Sequence, residues 1–291
     1  MRVTSCGLFN SQLATRNSQP ATRNSMDTIA NIQAKKEQAS LQVQTLGTFQ
    51  VWRNGELIGP KDWGRDKSVQ LFQFLITARH QRALHKEQII DRIWEDIDVK
   101  SGEQNFKVAQ HGMNKALEPN RKSRSEAKYI TRQGVTYQLN LSEIWIDTDA
   151  LEKYISIGNQ FFSENRAIAI EAYRAAIDLH HGTYLPNRLY EDWSSGERER
   201  LQILVLGAFI NLSELLVDEN PMESIRLCQQ ALLIENTWED AYRIQMAAYL
   251  AKGNRPMAIK TFRQCETVLD KEFGVKPLPE TKALYQQIIA L

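Results

Sequence analysis

Residues 101–117 read SGEQNFKVAQHGMNKAL, and the side chains around this segment decide how the chain folds. Its spacing predicts a helix opened by Ser101, with Gln104 at the capping-box position and Pro119 beyond its end. At 100° per residue, Phe106, Ala109, Gln110, Met113, Ala116 and Leu117 fall on one side. All but Gln110 are apolar, the face a core would cover. The opposite side presents Gln104, Lys107, Val108, His111 and Lys115, with Asn114 at its edge. These groups can read base edges in a major groove. Amides pair with adenine, a lysine reaches guanine O6 and N7, and a valine suits a thymine methyl. An ordinary solvated helix face can have the same composition, so the flanking elements must choose between the two readings.

Upstream, Lys86–Trp94 predicts a second helix through Ile89, Ile90, Ile93 and Trp94. Arg65–Ala78 predicts a first helix through Val69, Leu71, Phe72, Leu75 and Ile76. Before them, Leu41, Val43 and Thr45 alternate with glutamines, and Phe49 and Val51 alternate with Gln50 and Trp52. Asn54-Gly55 marks a tight turn into Glu56-Leu57-Ile58. Downstream, a polar basic stretch, residues 120–128, leads to a hairpin of residues 129–132 and 135–139 around Gln133-Gly134. A small antiparallel sheet, three helices and a hairpin make a winged helix-turn-helix, an α+β domain over residues 41–142. In that fold the third helix is the reading element. Backbone phosphates would fall to His85 and Lys86 at the start of the second helix, with its free N–H groups. Arg132 and Gln133 at the hairpin tip, and Arg121, Lys122 and Arg124 on its approach, are further phosphate candidates.

Residues 1–40 have the composition of a disordered tail. ATRNS occurs twice, at residues 14–18 and 21–25, and Met26 offers a second start that would leave the first 25 residues outside the protein. Residues 143–291 are helical almost throughout. Residues 224–235 align with 258–269 at an offset of 34, and residues 169–174 echo 258–263. Thirty-four residues is the tetratricopeptide period, so an all-α superhelical array is expected.

Charge separates the two halves. The net charge of +1 divides into +3 over residues 1–40, +5 over 41–140 and −7 over 141–291. The positive excess gathers between residues 100 and 132, as a polyanion partner requires. No apolar run is long enough for a membrane span. Three scattered cysteines, Cys6, Cys228 and Cys265, argue for a reducing cytoplasm and against a disulfide or zinc framework. GxxxxGK[ST], HExxH and GxSxG are absent, and His180-His181 has no suitably spaced companion ligands. No enzyme activity, cofactor or metal site is expected.

Trp63, Lys67–Leu75, His85–Trp94, Asn105–Pro119 and Tyr129–Leu139 together resemble an OmpR-type winged helix of the antibiotic-regulatory (SARP) kind. Asp147–Glu152, His181–Pro186, Glu191-Asp192-Trp193, Glu239–Met246 and Gly274–Leu284 are similar to the bacterial transcriptional activator domain (BTAD). The resemblance covers residues 41–291 and departs at Met113-Asn114, where the family has Leu-Arg. It implies a cytoplasmic, nucleoid-associated activator that binds direct repeats in double-stranded DNA as a homodimer or tandem pair and recruits RNA polymerase. The other function open to these elements is a protein-interaction scaffold, with the helical array as the active part and a degenerate winged helix.

Overall fold

The computed structural model describes residues 29–81, 83–122 and 125–291. Most of the expected tail lies outside the described residues, but its last part is ordered. Residues 29–38 form a helix, α1, whose Ile29 and Ile32 are buried in the core of the second domain. Two isoleucines three residues apart in a polar segment make too short an apolar period to predict a helix; the covering domain stabilises it.

Strands β1 (Leu41–Gln44), β2 (Gln50–Arg53) and β3 (Glu56–Leu57) form the expected meander. Asn54 and Gly55, both at positive φ, make the turn. A short helix, α2 (Pro60–Trp63), follows, and then α3 (Asp66–Thr77), β4 (Leu84–His85), α4 (Lys86–Ile93) and α5 (Val99–Leu117). The wing is β5 (Ile130–Gln133) and β6 (Thr136–Leu139), joined by β4 in the order β4-β6-β5. Leu41, Val43, Val51, Phe72, Ile76, Ile89, Phe106, Met113 and Tyr137 share one core.

One strand escapes the sequence pattern. β7 (Ile144–Ile146) pairs parallel with β1, so the first sheet runs β3-β2-β1-β7. The segment Ile-Trp-Ile is buried at every position and shows no alternation, as expected for a strand covered on both faces. The boundary drawn at residues 142/143 therefore moves to Asp147, the first residue of the next helix.

The second domain stacks α6 (Asp147–Phe161) on α7 (Arg166–Asp178), α8 (Asp192–Leu216) on α9 (Pro221–Ile234), and α10 (Glu239–Ala251) on α11 (Arg255–Phe273). Helix α12 (Pro279–Ala290) closes the array. The repeat seen in the sequence falls on α7, α9 and α11. Ala169, Ser224 and Ala258 are equivalent and fully buried, as are Ala176, Ala231 and Cys265 seven residues on. Each of these helices is N-capped by an asparagine four residues before the first of those positions. Asn165, Asn220 and Asn254 accept from the backbone N–H of Ile168, Glu223 and Met257. No described helix is long and apolar enough to cross a membrane.

Candidate nucleic-acid interface

Helix α5 begins a turn earlier than its sequence suggests. Asp98 is the N-cap and accepts from the Ser101 backbone N–H at 3.1 Å; the Ser101 side chain first, and this backbone bond second, hold its carboxyl below the usual range. Ser101 is thus an ordinary first-turn residue, and Gln104 is not part of a capping box. An aspartate three residues upstream outcompetes a serine because its charge also answers the helix dipole. Phe106, Ala109, Met113, Ala116 and Leu117 are buried and Gln110 is half-buried. The three large ones each stabilise the domain by about 1.5–3 kcal/mol. At Gly112 the helix crosses the α2–α3 corner so closely that a Cβ would lie 2.3 Å from the Ser68 hydroxyl. Arg53 of β2 donates to the Ala116 carbonyl and ties down the helix end.

With one side fixed in this way, Gln104, Lys107, Val108, His111 and Lys115 are exposed and Asn114 is half-buried. The second domain covers none of the five. Val108 is 38% exposed, an apolar group left on the wet face.

The phosphate candidates divide. The start of α4 is not the free helix N-terminus that the sequence suggests. Its Lys86 N–H donates to the Val135 carbonyl and its Glu87 N–H to His85 Nδ1. The Lys86 ammonium donates to Glu103 of α5 at 2.5 Å. Lys86 thus ties α4 to α5 while His85 caps its own helix, and the tertiary use of the cation carries no local sequence signal. At the wing, Arg132 and Gln133 are exposed. The Arg132 guanidinium lies over the Tyr137 ring and donates to the Gly134 carbonyl. Tyr137 packs edge-on against Phe106, with ring centres 5.1 Å apart, so the wing root bears directly on α5. Arg121 and Lys122 are exposed, Arg121 lying 3.7 Å from Glu118. Arg124 lies outside the described residues.

Sequence reasoning missed the clamp that sets the angle of the second domain. Arg79, just past α3, is 4% exposed. It donates to Asp149 (2.5 Å), Glu197 (3.0 Å) and the Thr148 hydroxyl (3.1 Å). Burial alone would lower its pKa, but Asp149 and Glu197 raise it overall. Asp147 is fully buried; its carboxylate accepts from the backbone N–H groups of Thr45, Leu46 and Thr148 and from the Thr45 hydroxyl. Burial pushes this carboxyl up against the pull of those donors. The segment His181–Pro186 crosses the seam as a strap. Leu185 donates to the Thr45 carbonyl, Gly47 donates to the Thr183 carbonyl, and the Tyr184 and Thr77 hydroxyls meet at 2.8 Å. Gly47 has φ +81°, and a Cβ there would stand 2.7 Å from the His181 carbonyl oxygen. Arg188 pairs with Asp66, and Trp193 packs edge-on against Phe74. Most of the BTAD-like motifs near the domain junction are therefore seam residues.

Among the described residues His80, Asp149 and Glu152 come within metal-ligating reach of one another. Arg79 and Arg200 already neutralise both carboxylates, so the donor set does not suit a cation. His180 is half-buried against Phe209, and burial lowers its pKa, helped by His181.

Residues 146–289 match the family model of the bacterial transcriptional activator domain. Among solved structures, Mycobacterium tuberculosis EmbR in complex with a low-affinity phosphopeptide superposes with a TM-score of 0.73 at 15% identity. The match covers 86% of this chain and 65% of that one, so this chain spans less than two thirds of its length. The TPR2B domain of yeast Sti1, in a pHsp70 complex, matches 49% of this chain and 98% of its own at 18% identity, with a TM-score of 0.36. No curated protein sequence matches the chain.

Proposed function

We propose that this chain, whose residues 146–289 match the bacterial transcriptional activator domain and follow a winged helix, is a transcriptional regulator of the SARP type that binds double-stranded DNA sequence-specifically through α5. The exposed row Gln104, Lys107, Val108, His111 and Lys115, on a helix whose other side is locked in the core, carries this reading. In it, Lys107 and His111 face base edges near the centre of the helix, Gln104 and Lys115 flank them, Asn114 borders the row, and Val108 packs on a thymine methyl. Arg132 and Gln133 of the wing, with Arg121, Lys122 and Arg124, hold phosphates. Two copies bind direct repeats as a dimer or tandem pair, and the helical domain contacts RNA polymerase to activate transcription.

Selection of sites from random duplex DNA by the full chain tests the first step. The expected result is an enriched direct repeat whose binding weakens steeply with salt. Equal affinity for the selected and scrambled duplexes would remove α5 as a reading element.

A further inference from the structure

The exposed row of α5 lies between two walls. Gly112 is four residues beyond Val108 and three before Lys115, so on the helix surface it borders both. There α5 meets the α2–α3 corner, where a Cβ on Gly112 would lie 2.3 Å from the Ser68 hydroxyl and 3.2 Å from the Trp63 carbonyl oxygen. Glu103 is half a turn around the helix from Gly112, and on that opposite edge it accepts from Lys86 of α4.

The corner brings a cation to the first edge. Arg65 joins α2 to α3, and its backbone N–H donates at 2.9 Å to the same Trp63 carbonyl that faces Gly112. Its side chain takes no part in capping α3 and is exposed. The Trp63 ring is buried 5.6 Å from that of Phe72, which fixes the corner to the core. The other charged groups nearby leave the positive charge in place. Lys61 is exposed. Asp62 accepts from the Gly59 N–H at the start of its own helix, and Lys67 reaches away to the Ile93 carbonyl. Asp66, next to Arg65 in sequence, takes both terminal nitrogens of Arg188 from the second domain, at 3.0 and 2.5 Å. Its carboxylate is thus answered from across the seam and does not offset Arg65.

Resting on the reading of α5 as the helix in the groove, we propose that Arg65 grips a DNA phosphate on the groove wall beside Val108 and Lys115. A helix with its side chains is about 10–12 Å across, and the major groove is about 12 Å wide. An element packed on the exposed edge of the helix therefore meets the phosphates that line the groove. Arg65 fixes the depth and tilt of α5 and reads no base. Arg121 and Lys122 lie beyond the end of α5 and Arg132 lies on the wing, which leaves this edge to Arg65.

Competition binding of full-chain variants to the selected and scrambled duplexes tests it. Arg65→Ala is expected to weaken both about fivefold and to lower the salt slope by about one. Arg65→Lys should keep the slope, and Lys260→Ala, exposed on α11, should bind as the parent does. Duplexes that each carry one uncharged methylphosphonate linkage should include a position at the edge of the site that weakens the parent about fivefold and leaves Arg65→Ala unaffected. Arg65 is exposed and its side chain caps nothing, so the thermal unfolding of Arg65→Ala should match that of the parent. A parent that binds selected and scrambled duplexes equally removes α5 as the reader and this contact with it. A parent that discriminates, with Arg65→Ala equal to it in affinity and slope or with no linkage sensitive to Arg65, overturns the phosphate contact alone.

Discussion

Arg79 Nε lies 2.5 Å from Asp149 Oδ1, a contact that joins the end of α3 in the winged domain to α6 of the repeat array. The same guanidinium reaches Glu197 and the Thr148 hydroxyl, so a single side chain spans the seam to α6 and α8. Arg79→Ala would leave Asp149 without its guanidinium partner and Glu197 with Arg200 alone. The expected loss is about 3 kcal/mol of unfolding free energy. Urea unfolding followed by fluorescence should show it, with the single transition separating into two.

Acid should loosen the same seam. Burial works against ionisation of Glu197, but Arg200 and Arg79 together hold its carboxyl below its ordinary value of 4.5. A group with a lowered folded pKa contributes its full stabilisation above its unfolded value and loses it as pH falls through the folded one. Melting temperature should therefore drop below about pH 4.5, and the slope should be shallower in Glu197→Gln. Identical slopes for the two proteins would assign the acid sensitivity elsewhere.

Gly112 sets how closely α5 approaches the corner at Ser68. Gly112→Ala places a methyl 2.3 Å from the Ser68 hydroxyl and 3.2 Å from the Trp63 carbonyl oxygen. The expected cost is about 1–3 kcal/mol, read as a lowered midpoint of thermal unfolding. Adding Ser68→Ala removes the worse clash and should recover part of the loss, but the Trp63 backbone prevents full rescue.

The three asparagine caps offer a test of additivity. Asn165→Ala, Asn220→Ala and Asn254→Ala should each cost about 1 kcal/mol. They cap three separate helices, so the triple variant should lose close to the sum. A triple variant no worse than a single one, by urea titration, would show that the array does not unfold as a unit.

On selected DNA, Lys107→Ala and His111→Ala should lose discrimination between the selected and scrambled duplexes by about 10-fold or more. Arg132→Ala should weaken both alike and lower the salt slope by about one. Competition binding at two salt concentrations separates these outcomes. If Arg132→Ala altered sequence preference while Lys107→Ala did not, the wing and not α5 would be the reader.

The winged helix was legible because its signals are local. The 3.6-residue period of α5, the Asn54-Gly55 turn and the wing hairpin can each be read within a short window. Signals that depend on distant partners were hidden. Nothing near Arg79 in sequence marks it as a clamp, since its carboxylates come from residues 149 and 197. Ile144–Ile146 has no alternation because both of its faces are covered. Ser101 drew attention as a cap although Asp98 offered the stronger one. The repeat is legible in residues 169–174, 224–235 and 258–269, and the capping asparagines Asn165, Asn220 and Asn254 lie just outside those stretches. The exposed row on α5 stands where its periodicity placed it. The occupied state of Lys86 depends on Val135 and Glu103, which only the assembled fold brings near.

Ile146 ends β7 and also serves as the N-cap position of α6, leaving no tether between the two halves. Cutting the gene after the wing would strip β1 of a neighbouring strand and leave its edge bare. Cutting before residue 144 would send that strand away with the wrong fragment. Even a cut at residue 147 would rob Thr45 and Leu46 of the acceptor for their amide protons. Chimeras that exchange the winged-helix module should therefore carry residues 41–146 across together, retain the native α1 whose Ile29 and Ile32 pack in the repeat array's core, and keep an aspartate as the first residue of the helix that follows.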